Sequence, residues 1–590
     1  LAKMNMVLHD CPTAEIWRDN TLSSPHFKNA AGGLKTFDFV VANPPFSDKA
    51  WSTGLDPAND LSDRFDYGVP PAKNGDYAYL LHVIASLKTT GKGAVILPHG
   101  VLFRGNAEAD IREKIVRKGY IKGIIGLPAN LFYGTGIPAC IVVLDKENAH
   151  ARTGIFMIDA SKGFVKDGNK NRLRSQDLHK IVDAFTKQVE IDKYSRMVPL
   201  AEIEKHGFNL NIPRYIDSSE PEDLQDIEAH LKGGIPVRDV DALSDFWREL
   251  PAVRATLFGP SDRPGYLTPL VDAAEVKGAV LNHPEFAAFT ARVTEVFEAW
   301  AADHIDRLRG IAIGDHPKEL IATISEDLLD RFKPVPLIDG YDVYQHLMTY
   351  WAEVMQDDAY ILVQDGWAAG RVIRDLAKNA DGKFTETPDI TLGRRKLKAE
   401  LIPPALIVVR FFAPEQTALE ALEARAEEAV RAMEELDQEH GGEDGLLFEA
   451  KTDKGKLTAK SVKDRTRDIR HDKDAGEERA MLKTCLSLIE AAADAEAAAK
   501  AAQAKLNAAV AAQYAALTED EVKALLVQDK WLAEVRADVL AEVDRVSQAL
   551  AGRVKVLAER YATPLPKLTD DLESLSAKVA AHLKRMGFAA

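Results

Sequence analysis

The stretch Asp38-Phe39-Val40-Val41-Ala42-Asn43-Pro44-Pro45-Phe46 decides the fold. Its apolar first part predicts a strand, and the polar residue followed by two prolines predicts that the strand stops at Asn43. Working outward, residues 77–87 have helical apolar spacing and 93–98 read as a short buried strand. Residues 108–118 read as an amphipathic helix, and 121–127 and 140–144 as two further strands. Strands separated by helices of about ten residues imply crossover units and a mostly parallel sheet, hence an α/β, Rossmann-like domain. The loop between the last two strands is too short for a helix, which predicts an antiparallel hairpin closing the sheet.

The chain has 590 residues, more than one core of roughly 250–300 residues holds, so two or more domains are expected. Hydrophobic residues make up 46% and charged residues 28%, a globular mixture. No run approaches the roughly 18 apolar residues of a membrane span, and no leader pattern opens the chain, so no membrane role is expected. Cys11, Cys140 and Cys485 are too far apart for a disulfide framework or a zinc site, which points to a reducing cytoplasm and to no metal. Residues 1–220 carry 28 Lys+Arg against 25 Asp+Glu, whereas the whole chain has a net charge of −16. A chain of that sign cannot grip nucleic acid with its whole surface, so any contact with DNA is local or is supplied by a partner.

The expected domains are 1–165 (catalytic α/β), 166–332 (mixed, mainly helical), 333–414 (aromatic-rich) and 415–590 (helical, partner-binding). Residues 166–220 are polar, with Gly168-Asn169-Lys170-Asn171 as a loop signal, and 221–330 read as mostly helical. After Pro334-Val335-Pro336 come Tyr341, Tyr344, Tyr350, Trp351, Tyr360 and Trp367, aromatics whose helical spacing reads as core. Leu419, Leu422, Ala426, Ala429, Met433 and Leu436 follow the 3–4 spacing of a coiled-coil seam. So do Val539, Val543, Val546, Leu550, Val554, Leu557 and Tyr561, and then Leu568, Leu572, Leu575, Val579 and Leu583. Between them, 451–473 is a Lys- and Arg-rich insert expected to be a mobile loop or hairpin; a solvated charged loop is weighed there against a contact with DNA phosphates.

The chemistry rests on residues 43–46. In open α/β sheets ligands bind at the carboxyl ends of strands. An amino group on an aromatic ring has its lone pair delocalised. Two acceptors set against its two N–H bonds favour a pyramidal nitrogen and free that pair. The Asn43 side-chain oxygen and the Pro44 carbonyl are such acceptors, Pro45 stiffens the loop, and Phe46 offers a face for a base swung out of a duplex. A sulfonium methyl donor is already activated, so positioning and electrostatics do most of the work. The competing reading is a Pro-rich turn that merely ends a strand.

Further motifs occur in fixed order: Leu1-Ala2-Lys3-Met4-Asn5-Met6, residues 43–46, Gly75-Asp76-Tyr77-Ala78-Tyr79-Leu80-Leu81-His82, residues 93–104, residues 125–132 and Gly134-Thr135-Gly136-Ile137-Pro138. Residues 43–46 resemble motif IV of amino-methyltransferases. Together the motifs resemble the modification (M) subunit of type I restriction–modification systems, DNA adenine-N6 methyltransferases, over about residues 1–216. Residues 338–367 and 560–588 look, more loosely, like long-form members of that family. The resemblance implies an S-adenosylmethionine-dependent fold and methyl transfer to adenine N6 in double-stranded DNA. The implied partners are a specificity (S) subunit, a second M subunit and a restriction (R) subunit. It implies catalytic roles for Asn43, Pro44, Pro45 and Phe46, and cofactor contacts from Asn43 and from Asp19, which otherwise reads as a loop or N-cap aspartate. The glycine-rich cofactor loop of that family would precede Leu1. The expectation is therefore a chain lacking its natural N-terminus, inactive alone and binding the methyl donor weakly or not at all.

Two rivals stand beside this reading: a glutamine-directed protein methyltransferase of the same fold, and a non-catalytic coiled-coil assembly module. His99 and Arg104 are weighed as base or DNA contacts against local loop bonding. His82 reads as a packed core histidine, and Asp357-Asp358 as an exposed acidic turn.

Overall fold

Along the strand 87–98, neighbouring residues part company: Val95 and Leu97 join one apolar cluster, Ile96 the other. The two-residue period of a strand dictates this split, and it recurs at Ile124 against Ile125 and at Val142 against Val143. A computed structural model describes residues 1–219, 223–380 and 382–588. The chain divides into two compact units, Leu1–Pro236 with Tyr561–Ala590, and Val237–Arg560.

In the first unit a short helix α1 (Ala2–Leu8) precedes β1 (Phe37–Ala42), α2 (Asp76–Ala85), β2 (Leu87–Pro98), α3 (Ala107–Arg117), β3 (Ile121–Gly126), β4 (Ala139–Asp145) and β5 (Gly154–Asp159). There follow β6 (Val165–Asp167), β7 (Lys170–Arg172), α4 (Ser175–Lys187) and β8 (Ser195–Pro199). The main sheet has the order β1-β2-β4-β3-β5-β8. Tyr77, Leu80, Leu81 and Ile84 of α2 and Ile111 and Ile115 of α3 pack on one face, while Ile181 and Ala184 of α4 pack on the other. A fully buried side chain of this size contributes roughly 1.5–3 kcal/mol, so the three layers are held chiefly by apolar burial.

The α/β class holds, and two details differ from expectation. The β3–β4 hairpin forms, but β4 inserts between β2 and β3 and the sheet continues through β5 and β8, so the hairpin does not close it. Only β1–β2 and β3–β5 pair in parallel; β2–β4, β3–β4 and β5–β8 are antiparallel, and the sheet is mixed. For β4 the cause is connectivity: the links β3–β4 and β4–β5 carry no crossover α-helix. β1 is an edge strand. Its Val40 and Ala42 face the α2–α3 core, while Phe39 and Val41 on the opposite face are 75% and 80% exposed.

The second unit is mainly helical, with one three-stranded sheet (Ile373–Asp375, Ile390–Leu392 and Arg395–Ala399) and the hairpin Phe258–Pro260/Tyr266–Pro269. Phe289, Val293, Phe297, Trp300, Leu328, Phe332 and Leu347 fill its core. The seam 539–557 is the buried face of helix Ala533–Arg560, which packs on helices Val276–Leu281, Pro284–Arg309 and Gly340–Tyr350; it is a bundle contact, not a two-stranded coil. Helices Ala413–His440 and Gly476–Ala516 lie side by side. The basic insert is not a bare loop: it contains helix Ala459–Asp468, and Val462 and Ile469 pack with Leu482 and Cys485 in a small core. Tyr344, Trp351 and Trp367 are core residues, as their spacing predicts. Asp358 departs from the acidic-turn reading. It is buried, and its carboxylate accepts from Lys530 Nζ at 2.6 Å and Trp531 Nε1 at 2.8 Å. Among the described residues no helix is long and apolar enough to cross a membrane.

Candidate active site

Strand β1 ends where the prolines remove its donors, and the chain turns out of the sheet at its carboxyl edge. A cavity of about 500 Å³ opens there, lined by Asn43, Pro44, Pro45 and Phe46 on one wall and Phe132, Tyr133, Gly134 and Thr135 on the other. The volume lies within the roughly 300–1,000 Å³ range of small-molecule sites. The four sequence-predicted residues therefore share one cavity. The Asn43 side chain is exposed, and no described residue hydrogen-bonds to it, so its amide is free to meet a ligand. The walls meet through the rings of Phe46 and Phe132, edge to face with centroids 5.7 Å apart. Tyr133, at 94% exposure, stands at the mouth.

The first wall is braced from beneath. Ser47, at φ +52°, donates its backbone N–H to Asp76 Oδ1 at 2.7 Å. Gly75 N–H donates to the Asp48 carbonyl at 2.9 Å, and the Tyr79 hydroxyl to Asp48 Oδ2 at 3.0 Å. Gly75 has no alternative, because a Cβ there would lie 2.6 Å from Cβ of the buried Trp51. Asp76 is completely buried and also accepts from Arg104, whose Nε donates to Glu108 at 2.6 Å. Burial raises the pKa of Glu108. Arg104, half-buried, thus spends its guanidinium on loop bonding to Asp76 and Glu108. His99 lies at the carboxyl end of β2 with its Nε2 buried and without a partner among the described residues, and burial lowers its pKa. His82 is a core histidine, as expected: burial first, then the Arg64 guanidinium beside it, push its pKa down to about 4.

The second wall is held from outside. Lys170 Nζ donates to the Phe132 carbonyl at 2.6 Å and the Thr135 carbonyl at 3.0 Å, and Asn171 Nδ2 donates to the Ala129 carbonyl at 2.7 Å. Phe132, Tyr133, Asp76 and Lys170 escaped the sequence reading as site residues. A helix opening on Gly75-Asp76 and an aromatic pair before Gly134-Thr135-Gly136 were the available signals.

Asp19 lies on the loop between α1 and β1, outside the cavity lining. Its carboxylate pairs with His26 Nε2 at 2.8 Å, which holds its pKa below the usual range, and Trp17 stacks on His26 with centroids 4.8 Å apart. Among the described residues no His, Cys, Asp and Glu cluster could hold a metal ion.

Residues 1–224 match the family model described as N-6 DNA Methylase. Over 237 residues the chain is 33% identical to the type I restriction enzyme MpnII methylase subunit of Mycoplasma pneumoniae, covering 39% of this chain and 43% of that protein. Over 217 residues it is 34% identical to the HindI methylase subunit of Haemophilus influenzae, covering 34% and 47%. A crystal structure of a type I restriction–modification methyltransferase subunit from Streptococcus thermophilus aligns with 38% identity and a TM-score of 0.34, over 37% of this chain and 46% of that one. The chain spans less than half the length of these relatives. Over residues 1–224 the chain is thus similar to the N-6 DNA methylase family and to methylase subunits of type I restriction enzymes.

Proposed function

We propose that the chain is the modification subunit of a type I restriction–modification complex and transfers a methyl group from S-adenosylmethionine to adenine N6 in double-stranded DNA. The observation that carries this reading is the cavity at the tip of β1, where an unpaired Asn43 amide stands beside the rings of Phe46 and Phe132. The chemistry of the lining fits a neutral heteroaromatic amine and a sulfonium donor. Its polar groups are amide, carbonyl and hydroxyl groups, and no Lys or Arg lines it. S-adenosylmethionine would supply the activated methyl group; Asn43 and Asp19 are the residues proposed to face it. The Asn43 oxygen and Pro44 carbonyl accept the two N–H bonds of the amine and localise its lone pair. Pro45 fixes the carbonyl direction, and the aromatic pair holds the base plane. The proton lost from nitrogen leaves to solvent through the open mouth.

Sequence choice is assigned to a specificity subunit, with a second modification subunit and a restriction subunit completing a cytoplasmic assembly. Helix Leu565–Arg585 supports partner binding: Leu568, Leu572, Leu575 and Val579 are 52–65% exposed along one stripe, the seam a partner helix would cover.

The test offers duplex DNA and a glutamine-containing protein side by side to the full-length protein with its specificity subunit and radiolabelled donor. Label is expected in DNA, at adenine. Asn43→Ala is expected to lower kcat by about 10²–10³-fold, the scale of losing one preorganised polar contact to the reacting group. Label in protein alone, or an Asn43→Ala enzyme of undiminished kcat, would overturn the proposal.

A further inference from the structure

The cavity carries no cation in its lining, yet a base swung out of a duplex brings its own phosphates to the mouth. Those charges must be met at the rim. One element bonded to the rim has the right sign. Residues 162–174 hold five Lys and Arg against one Asp, within a chain of net charge −16. They contain the antiparallel ribbon β6–β7, turned by Gly168 at φ +57°, with Lys162 in the turn that leads into it and Arg174 just after it.

The ribbon is fixed to the second wall through Lys170 and Asn171, as described, and through Asn171 N–H donating to the Asn130 carbonyl at 3.0 Å. Two of its cations are committed inward: Lys170 to the carbonyls of the wall, and Arg174 to Asp177 at 3.0 Å. Three are left on the surface. Lys162 and Lys166 are exposed and make no ion pair with a described carboxylate. Among the described residues the Lys162 ammonium bonds a backbone carbonyl, that of Ser218, with the Asp217 carboxylate close enough to feel its charge, and the Lys166 ammonium lies 5.9 Å over the Phe164 ring. Arg172 approaches Asp167 at 3.4 Å with both side chains more than half exposed, a pair worth little in water.

We propose that the β6–β7 ribbon is a contact for the phosphate backbone of duplex DNA beside the extruded base, with Lys162, Lys166 and Arg172 as the contacting cations. The proposal rests on the methyltransferase reading above and adds to it where the duplex lies against this chain. Because Lys170 and Asn171 bond the same ribbon to residues 129–135, phosphate binding and the placement of the aromatic wall share one element.

The experiment compares wild type with Lys162→Glu/Lys166→Glu in the full-length protein, with its partner subunits present, measuring duplex binding across a salt series and methyl transfer. Each phosphate contact adds about 0.9 to the slope of log K against log salt, so the double variant should lose close to two in slope. Its Kd at low salt should rise on the order of tenfold or more. The KM for DNA should follow Kd, with kcat falling far less. Lys162→Arg/Lys166→Arg should restore binding. Should the Glu pair fail to fold, judged by circular dichroism, Lys162→Gln/Lys166→Gln asks the same question with the same expected fall in slope. A wild-type slope and Kd in the variant would overturn the ribbon contact while leaving methyl transfer to DNA intact. Wild-type protein that transfers no methyl group to DNA would instead overturn the reading beneath it.

Discussion

The two walls of the cavity are held by different physics. Residues 43–46 rest on buried ionic groups: Asp76, Glu108 and Arg112 are all almost wholly inaccessible, and Arg112 donates to the carbonyls of Phe208, Val101 and Arg104. Residues 132–135 hang from one half-buried lysine, Lys170, while Asn171 holds the preceding residues 129 and 130, on a ribbon whose other cations are exposed. Charged hydrogen bonds in a low-dielectric interior are strong when complete and costly when half broken, whereas bonds at the surface are replaced by water at small cost. The wall that must aim two acceptors at one nitrogen thus sits on the stiff support. The wall that must part to admit a planar base sits on the soft one.

The largest effect should come from breaking the stiff support. Asp76→Ala removes the acceptor for Ser47 N–H and the partner of Arg104, leaving a guanidinium beside the buried Glu108 alone. A loss of about 3–5 kcal/mol in urea unfolding is expected, with methyl transfer falling beyond what the folded fraction explains. Asp76→Asn keeps an acceptor for Ser47 and should recover part of both. A melting curve for Asp76→Ala that overlays wild type would show that the first wall stands on something else.

Much of this architecture was legible in the residues. The strand run 37–42 and its Asn-Pro-Pro stop, the helices at 76–85 and 107–117 and the strands at 121–126 and 139–145 follow from local periodicity, because each is an amphipathic or doubly buried element whose pattern is its cause. The position of β4 inside the sheet was not legible, since strand order is set by long-range pairing that no local pattern records. The four residues of the first wall could be named from one tetrapeptide. The second wall could not, because Phe132 and Tyr133 acquire meaning only when the loop after β3 folds over the tip of β1. Asp76 and Lys170 were hidden for the same reason: each acts on a backbone atom 29 or more residues away. Asp358 read as an exposed acidic turn because its partners, Lys530 and Trp531, lie more than 170 residues along the chain.

A second, smaller effect separates the walls by pH. His82 sits on α2, the helix whose start braces the first wall, and its ring contacts Arg64 at 3.2 Å. Its native pKa of about 4 lies below the roughly 6.5 of an unfolded chain, so the unfolded state binds the extra proton between those values. The stability contributed by the neutral ring is therefore full above pH ~6.5 and is lost as pH falls towards ~4, in total on the order of 2–3 kcal/mol. His82→Gln should flatten that segment of the stability curve. Hydrogen exchange at pH 5 should quicken in 76–85 before it quickens in 130–136. A wild-type curve already flat between pH 6.5 and 4.5 would remove this coupling.

The smallest effect should come from the soft support. Lys170→Met frees the carbonyls of Phe132 and Thr135, but both lie on a half-buried loop beside the open cavity mouth, where water can replace the ammonium. Unfolding should change by about 1 kcal/mol or less. The aromatic wall should nevertheless lose its fixed distance from Phe46, so base capture weakens more than the fold does. In duplexes carrying 2-aminopurine at the target position, the fluorescence rise that reports an unstacked base should drop several-fold for Lys170→Met while the melting curve barely moves. Asp76→Ala should show the opposite ratio, a large shift in melting for each unit of lost signal. If both variants lost signal and stability in the same proportion, the distinction between a stiff acceptor wall and a yielding aromatic wall would disappear, and the cavity would have to be treated as one rigid body.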